Sequence, residues 1–160
     1  MSLLREKATF AAGCFWGVEY KFSHLKGVLG TKVGYIGGKV QNPDYKSVCA
    51  GITEHAEAVE VDYDPTVVSY KQLVEFFFSI HDPTTLNRQG PDVGTQYRSA
   101  IFYRNQEQLS TASAVKTHLE VNKAFESEIV TQLVESQEFF PAEEYHQKYL
   151  EKKGATSCAL

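Results

Sequence analysis

The sequence is poor in cysteine, has a single methionine, and lacks any long apolar run. Three cysteines in 160 residues exclude the disulfide scaffolds that hold small secreted domains together. Cys14, Cys49 and Cys158 lie far apart, with no Cys-x-x-Cys pair and no zinc-type spacing. No stretch approaches the ~20 apolar residues of a membrane span. The longest block of bulky apolar side chains is Phe76-Phe77-Phe78, with polar neighbours. Residues 1–7 carry Arg5, Glu6 and Lys7 without a long apolar region, so they do not read as a secretory signal. Excess positive charge is missing too. Sixteen basic against 20 acidic side chains leave a net charge of −4, which argues against a protein that relies on nucleic-acid phosphates. His55, His81 and His146 are scattered, with no His-x-x-x-His or similar metal spacing. These absences favour a cytoplasmic protein with reduced thiols, bound to neither membrane nor nucleic acid. In such a protein a cysteine is either a buried small hydrophobe or a working thiol.

What is present suits one globular domain over residues 1–160. Hydrophobic residues make up 42% and charged residues 22%, enough to bury a core without staples. No internal repeat or linker interrupts the chain. Residues 7–12 read as a buried strand ended by Gly13. Residues 17–26 place Val18, Phe22 and Leu25 at helical spacing, with Gly27 to close the helix. A second strand covers 28–35, and a polar, Gly-rich loop follows over 37–55. Residues 56–63 alternate, with Val59, Val61 and Tyr63 on one face and Glu60 and Asp62 on the other. Ser69 is placed to cap a helix that carries Leu73, Val74, Phe77 and Ile80 on one side. Residues 81–96 form a second long loop, and long ordered loops tend to carry function. A strand over 98–103 precedes a helix capped by Asn105 and Gln108 and running to about Val121. Residues 128–134 read as a strand. Pro141, Glu143 and Glu144 suit the start of a last helix that ends near Lys152-Lys153-Gly154. A tail over about 154–160 holds Cys158. Irregular interleaving of strands and helices favours an α+β two-layer domain over a doubly wound sheet.

Gly13-Cys14-Phe15-Trp16-Gly17 is the densest chemical signal. At a strand-to-helix turn the unpaired helical N–H groups and the positive dipole end both favour a thiolate. Phe15 and Trp16 would then form an apolar wall beside the sulfur. The other reading, a buried structural cysteine among core aromatics, stays open on local physics alone. Glu57 shares its strand face with Val59, Val61 and Tyr63, where desolvation would raise its pKa and make it a general acid. Exposure at the sheet edge, or pairing with Arg98, is the alternative. Tyr45 and Tyr97 lie in or beside the long loops, with Asp92 between Pro91 and Gly94. Their phenols suit hydrogen bonds to a polarised oxygen, although packing alone also accounts for them. A hydrolase joining Cys14 to a histidine is conceivable, but His146 reads better as packing of the last helix or as a supporting hydrogen bond.

With these residues collected, the sequence closely resembles the A-type peptide-methionine (S)-sulfoxide reductases from about Ala8 to Leu150. The resemblance rests on Gly-Cys-Phe-Trp-Gly at 13–17, Thr-Glu-His-Ala-Glu-Ala-Val at 53–59 and Phe-Phe-Ser-Ile-His-Asp-Pro-Thr-Thr at 77–85. It extends to Gln-Gly-Pro-Asp-Val-Gly-Thr-Gln-Tyr-Arg-Ser at 89–99 and Ala-Glu-Glu-Tyr-His-Gln at 142–147. It implies a mixed, largely antiparallel central sheet flanked by helices, in a ferredoxin-like arrangement. It also implies that Cys14 attacks the sulfoxide sulfur, Glu57 protonates the oxygen, and Tyr45 and Tyr97 hydrogen-bond it. Phe15 and Trp16 would hold the methyl group, and Asp92 would help bind the substrate. Methionine leaves, Cys14 becomes a sulfenic acid, and a resolving thiol forms a disulfide that thioredoxin or another dithiol reduces. The expected substrates are oxidised proteins and free methionine sulfoxide, handled by a monomer without metal or organic cofactor. Cys158 takes the resolving role, with Cys49 or an external thiol as rivals. A thiol peroxidase or other sulfenate-cycling protein built on Cys14 is the competing function; the wall of Phe15 and Trp16 favours the reductase.

Overall fold

The computed structural model describes residues 5–153. Strands β1 (Glu6–Ala12), β2 (Val28–Ile36), β3 (Ala56–Tyr63), β6 (Ser99–Tyr103), β7 (Gln132–Glu135) and β8 (Phe140–Pro141) form one sheet. A two-stranded hairpin, β4 (Arg88–Gln89) and β5 (Asp92–Val93), stands apart from it. The sheet order is β7-β6-β1-β3-β2-β8. All neighbours are antiparallel except β6 and β7. The helices are α1 (Phe15–Ser23), α2 (Tyr45–Cys49), α3 (Tyr70–Ser79), α4 (Gln106–Val121) and α5 (Tyr149–Lys152). This is the α+β class that the interleaved elements favoured, with the mixed, largely antiparallel sheet that the resemblance implied.

The period-two pattern decides which side of the sheet carries the helices. Phe10, Val33, Tyr35, Val59, Val61, Tyr63 and Ile101 join Phe22 of α1, Leu73 and Phe77 of α3 and Val115 of α4 in the main core. The opposite face is lined by smaller residues, Ala11, Ala56, Ala58 and Ala100, with Ile36 and Phe102. Burying Phe10, Phe22 and Phe77 in one stack, with ring centroids 5.0–5.4 Å apart around Phe10, fixes α1 and α3 against the sheet. Each such ring contributes about 1.5–3 kcal/mol through removal from water. Side-chain capping holds the starts of α2, α3 and α4. Ser69 Oγ accepts from Gln72 N–H, and the Gln72 side chain accepts from Ser69 N–H.

Register gathers the loops at one end of the sheet. Phe10 lies opposite Val59, Tyr35 opposite Glu57, and Ala12 opposite Ser99. The C-terminal ends of β1 and β2 therefore meet the N-terminal ends of β3 and β6. Gly13, the 37–55 segment and the 81–98 segment all emerge there. A Cβ on Gly13, whose φ is +102°, would lie 2.7 Å from Gln89 Cγ, so glycine is required for the turn to seat against the second loop.

Several local expectations are corrected. Helix α1 begins at Phe15, two residues before the expected Gly17. The 37–55 loop contains α2, capped by Asp44 and Ser47. The 81–96 loop contains the β4–β5 hairpin and ends in a 3₁₀ turn at Thr95–Tyr97. The strand expected at 128–134 runs over Gln132–Glu135. Gln108 does not close a reciprocal box with Asn105. Its side chain accepts from Arg104 N–H and donates to Lys7 O instead. The largest departure is the last helix. Pro141 lies in edge strand β8, opposite Gly34, and only a 3₁₀ turn (Glu144–His146) and the four residues of α5 follow. Proline is tolerated there because an edge strand does not need every N–H. Tertiary partners draw the backbone out of the helix. Gln147 both donates to Val33 O and accepts from Val33 N–H, each over 2.9 Å, continuing the sheet edge with a side chain.

The β2–β8 contact has no room for a side chain at Gly34, where a Cβ would meet the Phe140 carbonyl oxygen and lie 2.6 Å from the Phe139 ring. Gly34→Ala should therefore destabilise the fold by about 1–3 kcal/mol and lower activity by displacing residues 142–147. Urea unfolding and a turnover assay check both. Unchanged stability would mean that β8 docks more loosely than described.

Candidate active site

Cys14 occupies the N-cap position of α1, and its carbonyl accepts the Val18 N–H over 3.4 Å. The next residue ties the turn to β3. Phe15 N–H donates to Glu57 Oε1 over 3.2 Å within a buried setting. Glu57 is 2% exposed, and its second oxygen, Oε2, is buried without a hydrogen-bond partner among the described residues. The edge-exposed alternative and the Arg98 pairing are both corrected. Arg98 instead donates to Thr95 O and Gln132 Oε1. Burial is the dominant cause that raises the Glu57 carboxyl to about 8. The Phe15 N–H opposes the rise, and the charge of Asp92 adds to it. At neutral pH this acid keeps its proton.

The two long segments close around this pair. From α2 comes Tyr45, whose phenol shares a side-chain hydrogen bond with Cys49 one helical turn on. Burial first, then that bond, raises the Tyr45 hydroxyl above its usual range. Tyr97, from the 3₁₀ turn, is likewise raised by burial and then by the fields of Glu57, Cys49, Asp92 and Cys14. Both phenols stay neutral donors at any physiological pH. Half-buried Asp92 sits on β5. Gln96 Nε2 donates to Cys49 O over 3.3 Å, joining the two segments. Gln89 holds the second one, accepting from Asp82 N–H and donating to Asp82 O.

An aromatic cluster forms the other side. Phe15 is buried, with ring centroids 5.8 Å from Tyr35 and 6.4 Å from Tyr45. Trp16 stacks on Tyr149 at 4.0 Å and donates its indole N–H to His146 Nδ1 over 2.9 Å. His146 thus makes a supporting hydrogen bond, from a 3₁₀ turn rather than a helix. Glu143 accepts from Tyr35 Oη over 2.9 Å and from Tyr45 N–H over 3.0 Å. Burial raises this carboxyl, but those bonds outweigh it and hold it below its ordinary value.

The fold thus brings Cys14, Phe15, Trp16, Tyr45, Glu57, Asp92 and Tyr97 to one end of the sheet. Cys49 is exposed at the Tyr45 side, and Cys158 lies outside the described residues. Sequence reasoning missed Gln89, Gln96, Glu143 and Tyr149. The first three fall within the stretches that carry the family resemblance, which is the only signal that pointed to them. No group of three or more His, Cys, Asp or Glu suited to a metal occurs among the described residues. None of the helices described is long and apolar enough to cross a membrane.

A family model described as Peptide methionine sulfoxide reductase matches residues 6–160. The chain belongs to the peptide methionine sulfoxide reductase family. Peptide methionine sulfoxide reductase MsrA of Methanosarcina acetivorans is 60% identical over 149 residues, covering 93% of this chain and 79% of the relative. Among solved structures, the reduced form of Mxr1 from Saccharomyces cerevisiae is 38% identical with a TM-score of 0.88, covering 96% of this chain and 88% of that one. The same yeast protein in complex with Trx2 aligns at a TM-score of 0.64 and 26% identity, covering 91% and 84%.

The raised acid also makes stability depend on pH. Between its ordinary value of 4.5 and about 8, folded Glu57 keeps a proton that the unfolded chain releases. Stability therefore falls as pH rises through that window. Glu57→Gln does not titrate, so its stability relative to wild type should increase steadily from about pH 5 to about pH 8. Urea unfolding at several pH values measures this, and a constant difference would mean that Glu57 is ionised in the fold.

Proposed function

We propose that this chain reduces the S epimer of methionine sulfoxide, in proteins and free, by a sulfenic-acid route centred on Cys14. The supporting observation is a buried Glu57, its pKa raised by burial, with one oxygen anchored on the N–H of the residue after Cys14 and the other without a partner among the described residues. Sulfoxide oxygen leaves only when protonated, so a neutral carboxylic acid belongs beside the nucleophile. The Cys14 sulfur attacks the sulfoxide sulfur, Glu57 supplies the proton to the oxygen, and Tyr45 and Tyr97 donate hydrogen bonds to that oxygen. Phe15 and Trp16 receive the methyl group, and Asp92 helps seat the substrate. Phenols on one side and aromatic faces on the other present opposite chemistry to the two small sulfoxide substituents, which selects one epimer. The sulfur of the substrate is reduced to the thioether. Cys14 is oxidised to the sulfenic acid, carrying away the oxygen.

Cys158 then attacks the sulfenic sulfur, releasing water and forming a Cys14–Cys158 disulfide. A dithiol protein of the thioredoxin type reduces it by exchange. The yeast relative was solved in complex with Trx2, which supports that class of reductant here. Cys49, exposed beside Tyr45, is the rival resolving thiol. The enzyme works in this reading as a monomer in a reducing, cytoplasmic compartment, and protein repair after oxidation is its role.

Assay of S- and R-methionine sulfoxide peptides with a thiol reductant should show turnover of the S epimer alone. In single turnover, Glu57→Gln should slow sulfenate formation more than about tenfold, since a positioned general acid contributes about 10²–10⁴. A wild-type rate in Glu57→Gln would reduce Glu57 to a structural role, and equal turnover of both epimers would remove the orientation argument.

Cys158→Ser should still release one methionine per enzyme, because the first step uses only Cys14 and its acid, and should lose most thioredoxin-driven turnover. Peptide mapping after one turnover identifies the partner. A first disulfide between Cys14 and Cys49 would transfer the resolving role to Cys49.

A further inference from the structure

Trp16 is the sole tryptophan of the chain, and its indole N–H is committed to one acceptor, His146 Nδ1, at 2.9 Å. Indole nitrogen only donates. Nδ1 must therefore present its lone pair, which makes the imidazole neutral with its proton on Nε2. His146 is 1% exposed, and Nε2 has no hydrogen-bond partner among the described residues. The ring is wedged among Phe15 at 5.4 Å, Trp16 at 5.6 Å, Tyr45 at 4.2 Å and Tyr145 at 4.1 Å between centroids. Tyr149 stacks on the indole at 4.0 Å. Stacking sets the plane of the indole but leaves it free to slide. The hydrogen bond to a wedged ring removes that freedom.

The geometry points to His146 as a positioning residue that locks the Trp16 indole, and with it the wall for the substrate methyl, only while the imidazole is neutral. A second proton on Nδ1 would face the indole N–H donor to donor, so the lock is lost on protonation. The inference rests on the proposed role of Trp16 in holding the methyl group. His146 itself acts through Trp16 and carries no chemical step.

The groups that face His146 can be named. From its own turn come the Glu143 carboxylate and the Tyr145 phenol, and from α2 the Tyr45 phenol. On the α1 side Phe15 and Trp16 are uncharged. Burial favours the neutral ring and the Glu143 charge favours the protonated one. Burial wins, and His146 titrates below its ordinary 6.5. The working window is thus bounded below by His146, which must be neutral, and above by Glu57, which must keep its proton and releases it at about 8.

Two substitutions separate the lock from mere packing. His146→Asn sets an amide oxygen near the place of Nδ1, keeps the acceptor and cannot titrate. His146→Phe keeps ring volume and removes the acceptor. In the full-length wild-type chain without substrate, Trp16 emission should shift as pH falls through a midpoint below 6.5, and the shift should vanish in His146→Asn. With an S-sulfoxide peptide near neutral pH, His146→Phe should raise KM about fivefold, the size of one lost neutral hydrogen bond. Its saturated first-step rate should stay within about twofold, and His146→Asn should restore the KM. An emission shift that persists in His146→Asn overturns the proposal, as does a wild-type KM in a folded His146→Phe. If His146→Phe does not fold, the emission comparison with His146→Asn decides alone. That comparison needs no turnover, so its failure is distinguishable from failure of the sulfoxide-reductase mechanism.

Discussion

The hydrogen bond between Phe15 N–H and the Glu57 carboxyl organises this molecule. It joins the first residue of α1 to the start of β3, across 42 residues of sequence. The opposing effects on Glu57 explain its chemistry. A helix N-terminus favours a carboxylate, so the bond alone would make Glu57 a stronger acid. Desolvation outweighs it, and the Asp92 charge adds to desolvation. The helix start thus grips the acid without ionising it, while Cys14 occupies the N-cap position of the same helix.

That arrangement depends on strand order. With β1 and β2 on either side of it, β3 is a central strand, so a carboxyl near its start is covered. Had β3 been an edge strand, water would reach Glu57 and its pKa would fall back toward the ordinary value. The two long segments complete the cover because antiparallel register delivers them to the same end of the sheet. They are held by buried amide side chains, Gln89 on Asp82 and Gln96 on the Cys49 carbonyl. Side-chain amides suit this work, since each both donates and accepts without bringing charge beside the acid.

The aromatic side is preorganised by a different device. Phe15 and Trp16 come from α1, Tyr35 from β2, Tyr45 from α2, and His146 and Tyr149 from the last residues described. Glu143 staples three of these segments by accepting from Tyr35 and from the Tyr45 backbone. A substrate that offers one methyl group and one oxygen has little surface to bind, so a site must be rigid before the substrate arrives. A groove elsewhere, of about 750 Å³ between α3 and α4 and lined by Glu75, Phe78, Val115 and His118 among others, contains none of these residues.

Local pattern was sufficient where one face of an element meets the core. The alternation of 56–63 announced β3 and placed Glu57 among apolar side chains, and the spacing of Leu73, Val74 and Phe77 announced α3. The glycine-flanked Cys14 announced a strand-to-helix turn. These features depend on neighbours within a few residues, and burial follows from their periodicity. The last helix failed because Pro141, Glu143 and Glu144 carry a helix-start signal, while the backbone there is claimed by distant partners, Val33, Gly34 and Tyr35, and the Glu143 carboxylate by Tyr35 and Tyr45. The sequence by itself determined the core faces, the strand-to-helix turn that holds Cys14 and the residue types around it. Only the tertiary structure decided that Glu57 binds Phe15 N–H rather than Arg98, and that His146 meets Trp16 across 130 residues. A pKa raised by burial, or an acceptor fixed by a stack, is a property of atoms brought together from the whole chain, and no local periodicity encodes it.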